Sequence, residues 1–240
     1  MISLSLSKEI QDYLLSKYPE EGCGFVLKDN TFVPCENVSL DKTKEFEISN
    51  EDYLKYEWDI KAIVHSHPDG KDQPSRRDMS SQISTNVPFG LCVTRPGWVS
   101  PLWFWGDGIP DVPLVGRPFR HGATGTDGKG DCFSLIRDYF RIELGIKLRE
   151  YPRDDNWWHN GQDMYSDYFK EEGFYEISQE EVRENDCFIM KINSDVMNHA
   201  GIYIGNGLIL HHLALRLSRR EPIGRWPKMV VKWVRHKDVT

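Results

Sequence analysis

IKAIVHSHPDGKDQPSRRD, residues 60 to 78, runs an apolar segment into two alternate histidines, stops at Pro68, and then returns to a hydroxyl and a carboxylate, Ser75 and Asp78. Residues 60–65 read as a buried strand. Side chains two apart on a strand point to the same face, so His65 and His67 at its end can hold one ion between them. Pro68 and Asp69-Gly70 stop the strand, and the loop beyond can bring Asp78 back as a third ligand. Two imidazole nitrogens and one carboxylate oxygen, with a fourth place left to water, is the arrangement of catalytic rather than structural zinc. A pair of histidines alone is weak evidence, since such pairs are common as surface polar residues; the whole pattern carries the weight.

Around this stretch the first half reads as α/β or α+β. A helix over about 7–17 is predicted from the spacing of Ile10, Tyr13 and Leu14, with Ser7 as its cap. Strands are predicted at 24–27, 46–49, 60–65 and 90–94, with NEDYLKYEW as a short helix between two of them. GDGIPDVPLVGRP (106–118) mixes glycines with prolines that restrict their predecessors, so it reads as a linker. The expected organisation is a domain over 1–108, a linker over 109–118 and a second domain over 119–240. A further flexible stretch, HGATGTDGKG, is expected at 121–130.

In the second half DCFSLIRDYFRIEL reads as a helix packed through Phe133, Ile136 and Phe140, followed by strands at DCFIMKI, HAGIYIG and LILHHL, an α+β order. Cys132 falls in the first turn of that helix, where the positive end of the dipole lowers a thiol pKa. His199 opens a hairpin, NHAGIYIGNGLILHHL, and can reach Cys132 as its general base only through tertiary folding. A third group has to orient the imidazole, and turn length decides which. A two-residue Asn206-Gly207 loop puts His199 on the face of His212; a three-residue Gly205-Asn206-Gly207 loop puts it on the face of His211.

Composition narrows the remaining classes. With 39% hydrophobic and 12% aromatic residues, 240 residues can build real cores. Five cysteines without a CxxC pair indicate neither a disulfide framework nor a cysteine zinc knuckle. No apolar run approaches a membrane span, and the N-terminus mixes charge into its apolar pattern where a signal peptide would not, so the chain is expected to stay in the cytoplasm in which it is made. The net charge of -7 belongs to the first half. The basic end, 213–240, carries no nucleic-acid motif and reads as a surface for an anionic partner. The tryptophans at 98, 103, 105, 157 and 158 read as core or interface packing before sugar stacking.

His65, His67, Ser75 and Asp78 reproduce the H-x-H-x7-S-x2-D signature of the JAMM metalloproteases, also called MPN or Mov34 domains, which residues 1 to 105 resemble. In YPEEGCGFVL (18–27), Glu21 stands where that family places its proton-accepting glutamate; Glu20 is the lesser candidate. The resemblance implies a Zn2+ ion on His65, His67 and Asp78, Glu21 as the acid–base, Ser75 as an oxyanion donor, and hydrolysis of an amide or isopeptide bond. Residues 117 to 236 resemble the NlpC/P60 cysteine peptidases, which have DC at a helix start, a later H-x-G-I-Y-x-G-x-G, and a third polar residue about a dozen positions on. That implies a papain-like fold with Cys132, His199 and, by spacing, His211. The chain departs from the family's DCSG at Phe133-Ser134, and for the family's upstream tyrosine the nearest aromatic is Phe119. The two domains in this order resemble tail-tip assembly proteins of lambda-like bacteriophages. The resemblance implies other phage tail-tip proteins as partners, peptidoglycan stem peptides as substrate, and residence in the host cytoplasm during assembly or in the virion tail tip. The competing reading is a structural assembly factor or plug whose sites are relics.

Overall fold

A computed structural model describes residues 2–240. They fall into two compact units. One comprises the chain up to Asp111 together with Gly125–Asp127; the other comprises Val112–Thr124 and Gly128–Thr240.

In the first unit, helix α1 (Leu4–Ser16) starts one turn before the predicted Ser7. The Ser3 hydroxyl accepts the Leu6 N–H at 3.1 Å, and the buried stripe begins at Leu6, continuing through Ile10 and Leu14. That stripe packs on Val26, Phe32, Ala62, Val64 and Cys92 of the sheet. The strands are β1 (Cys23–Leu27), β2 (Phe32–Cys35), β3 (Ile60–Pro68), β4 (Phe89–Arg95), β5 (Trp98–Val99) and β6 (Trp103–Trp105), ordered β2-β1-β3-β4-β5, with β6 also on β4. Only β3 and β4 run parallel among these pairs, and helix α3 (Arg76–Thr85) makes the crossover between them. Helix α2 (Asn50–Tyr56) is capped by Ser49.

The segment 46–49 is not a strand. Its backbone partners come from elsewhere: the Asn37 amide accepts the Glu47 N–H and donates to the Glu45 carbonyl, and the Phe46 ring stacks on His65 at 4.6 Å. The Asn37 amide and a single backbone bond, from the Val38 N–H to the Glu47 carbonyl at 2.8 Å, stand in for a ladder, which local alternation cannot reveal.

The second unit holds α4 (Cys132–Leu144), α5 (Met164–Tyr168) and an antiparallel sheet of β7 (Phe174–Ile177), β8 (Cys187–Met190), β9 (His199–Tyr203), β10 (Leu208–His211), β11 (Arg219–Pro222) and β12 (Val230–His236), ordered β11-β10-β9-β8-β12-β7. One sheet face, through Ile189, Ala200, Ile202, Leu210 and Val234, packs on Leu135, Ile136 and Phe140 of α4. The other gathers Phe188, Met190, Ile209 and Trp233. The basic end contributes β11 and β12 to this sheet, and several of its charges are paired within the unit: Arg235 with Asp186 at 2.7 Å, Lys232 with Glu176 at 2.5 Å, Arg219 with Glu221 at 2.7 Å.

The stretches expected to be free chain are anchored. Within 112–118, Leu114 joins the α4 core and the buried Arg117 guanidinium donates to Asp138 and to the Pro113 carbonyl, both at 2.6 Å. Within 121–130, residues 121–124 are buried, while Thr126 exchanges hydrogen bonds with Phe104. Trp103, Trp105 and Trp157 are buried; Trp98 is half exposed.

Phe140 is fully buried at the centre of the second unit. Phe140→Ala is expected to cost about 3–5 kcal/mol, read as a lowered denaturation midpoint in chemical unfolding followed by the tryptophan fluorescence of that unit.

Candidate functional site

In the first unit, β3 carries His65 and His67 on one face, and α3 returns Asp78 to them. The sequence Ser75-x-x-Asp78 is a capping box: the Ser75 hydroxyl accepts the Asp78 N–H at 3.1 Å and the Asp78 carboxylate accepts the Ser75 N–H at 2.7 Å. The cap fixes the carboxylate where it meets both rings. His65 Nε2 and His67 Nε2 lie 3.3 Å apart; Asp78 Oδ1 is 3.5 Å from the first and Oδ2 3.2 Å from the second. These separations are close to the ~3.3 Å edge of a tetrahedron around an ion with bonds of about 2.0–2.1 Å. The proton inventory points the same way. His67 Nδ1 donates to the Lys71 carbonyl at 3.2 Å, which leaves Nε2 as a lone pair facing a carboxylate oxygen. Either a second proton on His67 or a cation has to lie between them, so the three side chains could bind a metal.

Their electrostatics follow from burial and charge. Burial works to lower both imidazoles. In His65 it wins; in His67 the hydrogen bond and charge of Asp78 outweigh it and the pKa rises. Asp78 is held well below the carboxylate range by the two rings, against its own burial. Glu21 lies just before β1, whose ladder with β3 continues past Cys23 through a Ser66 N–H to Gly22 carbonyl bond of 3.0 Å, bringing Glu21 level with His67. It is buried, whereas Glu20 is exposed. Burial pushes its carboxyl up to about 8, with the His67 charge opposing. Ser75 is exposed; a hydroxyl that accepts the cap bond keeps its hydrogen for donation.

In the second unit Cys132 is the first residue of α4 and lines a cavity of about 420 Å³ shared with His199, His212 and Tyr165. The expected lowering of its thiol pKa is not what this environment produces. Burial pushes it up to about 11, and the Asp131 carboxylate at the helix N-cap adds to the rise; the Tyr165 hydroxyl at 3.6 Å, the Ala200 N–H and Arg153 act weakly against both. The Asp131 cap carries its own negative charge, which offsets the positive helix end. Asp131 is itself held low, its burial outweighed by Arg153, which donates to it at 2.7 Å.

The hairpin register pairs Ile209 with Tyr203, Leu210 with Ile202 and His211 with Gly201, and the Ile204 N–H donates to the Leu208 carbonyl. The turn is the three-residue Gly205-Asn206-Gly207, all at positive φ. His199 and His211 consequently share a face, with His199 Nε2 3.2 Å from His211 Nδ1. Gly201 makes this approach possible: a Cβ there would lie 2.7 Å from the His211 Cβ and 2.4 Å from Phe188 Cζ. Burial pushes His199 down to about 3, and His211 is also lowered. His212 lies across from Ala200, with the Phe119 ring against it at 5.3 Å.

Two neighbours of these residues escaped the sequence reading. Tyr165, on α5, supplies a hydroxyl beside the thiol from 33 positions downstream, not from the upstream side, where Phe119 is the nearest aromatic. Glu221, on β11, accepts from His211 Nε2 at 2.7 Å. A glutamate two places after Arg219 on a returning strand was the available signal for it.

The pattern of a metal-competent His/His/Asp group in one unit and a thiol sharing a cavity with His199 in the other is that of a two-domain protein of peptidase families. Residues 4–103 match the family of prokaryotic homologs of the JAB domain, and residues 116–235 match the NlpC/P60 family. The chain is 36% identical over 240 residues to the tail tip assembly protein K of Escherichia phage N15, spanning 96% of this chain and 93% of that protein. It is 35% identical over 193 residues to the tail tip assembly protein K of Escherichia phage lambda, covering 79% and 89%. Among solved structures, an NLP/P60 family protein from Staphylococcus aureus matches 51% of this chain and 37% of its own, with TM-score 0.37 and 20% identity. The chain belongs to the NlpC/P60 family and to the family of tail tip assembly protein K. Among the described residues no helix is long and apolar enough to cross a membrane.

Gly201→Ala is expected to destabilise the second unit by about 1–3 kcal/mol, measured by thermal denaturation, because the added methyl would meet the Leu210 carbonyl, the His211 Cβ and the buried Phe188 ring.

Proposed function

We propose that this protein acts in phage tail-tip assembly and carries two peptidase centres: a zinc peptidase or isopeptidase in the first unit, and a thiol peptidase in the second that cleaves peptidoglycan stem peptides during tail assembly or genome delivery. Its partners are other tail-tip proteins, in the host cytoplasm during assembly and at the virion tail tip. The observation that carries the reading is the cavity wall shared by Cys132, at the start of α4, and His199, at the start of β9 and far from it in sequence, with His211 in contact with the His199 ring.

For the thiol centre, His199 takes the Cys132 proton and the sulfur adds to the peptide carbonyl carbon, forming the S–C bond. As the C–N bond breaks, His199 hands that proton to the leaving nitrogen, and water then hydrolyses the thioester. Cys132 and His199 both rest neutral in this environment, so the ion pair forms only when substrate and proton transfer stabilise it. In the first unit His65, His67 and Asp78 would hold zinc, which when bound supplies a Lewis acid that polarises a carbonyl and acidifies water. Glu21, level with His67, would accept a proton from the attacking water, and burial that raises its carboxyl favours its holding that proton for return to the leaving amine. Ser75 is placed to donate to the oxyanion.

A second reading, a structural assembly factor that does not turn over, is favoured by the raised Cys132 thiol. Purified protein incubated with peptidoglycan separates the two. Cys132→Ala is expected to cut muropeptide release by about 10³-fold or more; release by the variant at the rate of the unchanged protein counts against the thiol centre. Elemental analysis is expected to find about one zinc per chain, lost in Asp78→Ala and His65→Ala without loss of muropeptide release. A Cys132→Ala, Glu21→Gln double variant that restores full infectivity to a phage lacking the protein supports the structural reading.

A further inference from the structure

We propose that Glu221 is a positioning residue that sets the tautomers of His211 and His199, so that Nδ1 of His199 is the nitrogen left to receive the Cys132 proton. The inference rests on the thiol–imidazole reading above and names a member of that site beyond the three residues its motifs supply.

The chain of protons follows from three contacts. Glu221 Oε1 lies 2.7 Å from His211 Nε2, while its Oε2 takes the Arg219 guanidinium at 2.7 Å. An ionised carboxylate only accepts, so the His211 proton sits on Nε2. A neutral imidazole carries one N–H, which leaves His211 Nδ1 as a bare acceptor. That atom is 3.2 Å from His199 Nε2. Two ring nitrogens at this distance need one proton between them, and it has to be the one on His199 Nε2. The remaining lone pair of His199 is then at Nδ1. Burial supports this picture by keeping both rings neutral.

Without Glu221, the opposite arrangement becomes available. His211 Nδ1–H would donate to His199 Nε2, and the proton of His199 would move to Nδ1, where it blocks transfer from sulfur. The strand geometry gives Glu221 its reach: His211 pairs with Arg219 across β10 and β11, and Glu221 stands two places on, on the same face. On transfer, the proton leaves Cys132 Sγ for His199 Nδ1, His199 becomes a cation, and its Nε2–H stays on His211. The charged and titratable groups bearing on this path are Glu221, Arg219 and Arg216 around His211; His211 and His212 around His199; and Asp131, Arg153 and Tyr165 around Cys132.

Two measurements on the full chain test the proposal without any peptide substrate. Long-range 1H–15N spectra of the histidine rings at neutral pH are expected to show His211 and His199 both as Nε2–H tautomers in the unchanged protein. Either ring found as Nδ1–H overturns the proposal, whatever any variant does. Alkylation of Cys132 by iodoacetamide, located by peptide mass spectrometry and followed against pH, is expected to slow by roughly tenfold or more in Glu221→Ala near pH 7. The difference should close as pH approaches about 11, where the thiolate forms without a base. A purely structural role for Glu221 would leave the ratio of rates independent of pH, and that result overturns the proposal. His199→Ala separates the levels. If it slows alkylation at neutral pH while Glu221→Ala does not, the thiol–imidazole pair stands and Glu221 has no part in it; if it has no effect, the pair itself falls.

Discussion

Both candidate sites depend on one constraint of extended backbone: successive side chains leave a strand on opposite faces, so a shift of one residue moves every group to the wrong side. On β3 this alternation puts His65 and His67 together over the returning Asp78. On the β9–β10 hairpin it is turn length that counts. Three residues at positive φ, including glycines at both ends of the turn, set the register in which His211 pairs with Gly201. One residue fewer would put His212 on the face of His199 and send the His211 ring toward the face that packs on α4.

Electrostatics then decides the resting state of each group, and burial is the larger effect more often than local charge. Cys132 shows this most clearly, because a helix N-terminus with an acidic cap is not an electropositive place. In the first unit the balance differs: Asp78 is buried, yet two imidazoles hold it ionised, and it in turn raises His67. A cluster in which a buried carboxylate faces two imidazole nitrogens requires a proton or a cation at its centre. The arrangement is satisfied as a unit or not at all.

Much of this was legible in the residues. The apolar run before His65 announces β3, the S-x-x-D spacing that brings Asp78 back is also the capping box of α3, and the DC at a helix start is matched by the Asp131 cap of α4. Illegible were groups whose partners are remote. The segment 46–49 alternates like a strand but spends its backbone on Asn37, and Tyr165 and Glu221 reach their places from elements with no motif to mark them. The glycine and proline runs at 106–130 signal turns correctly, yet say nothing of the packing that holds Leu114 and Arg117.

By itself, then, the sequence determined which side chains are chemically competent and how they alternate along each strand, because periodicity and capping are local properties of a few consecutive residues. Tertiary structure decided which of His211 and His212 shares a face with His199, the burial of the Cys132 thiol and the contact between His211 and Glu221. Each of those depends on distances and desolvation between residues far apart in the chain, and neither a spacing nor a composition carries that information.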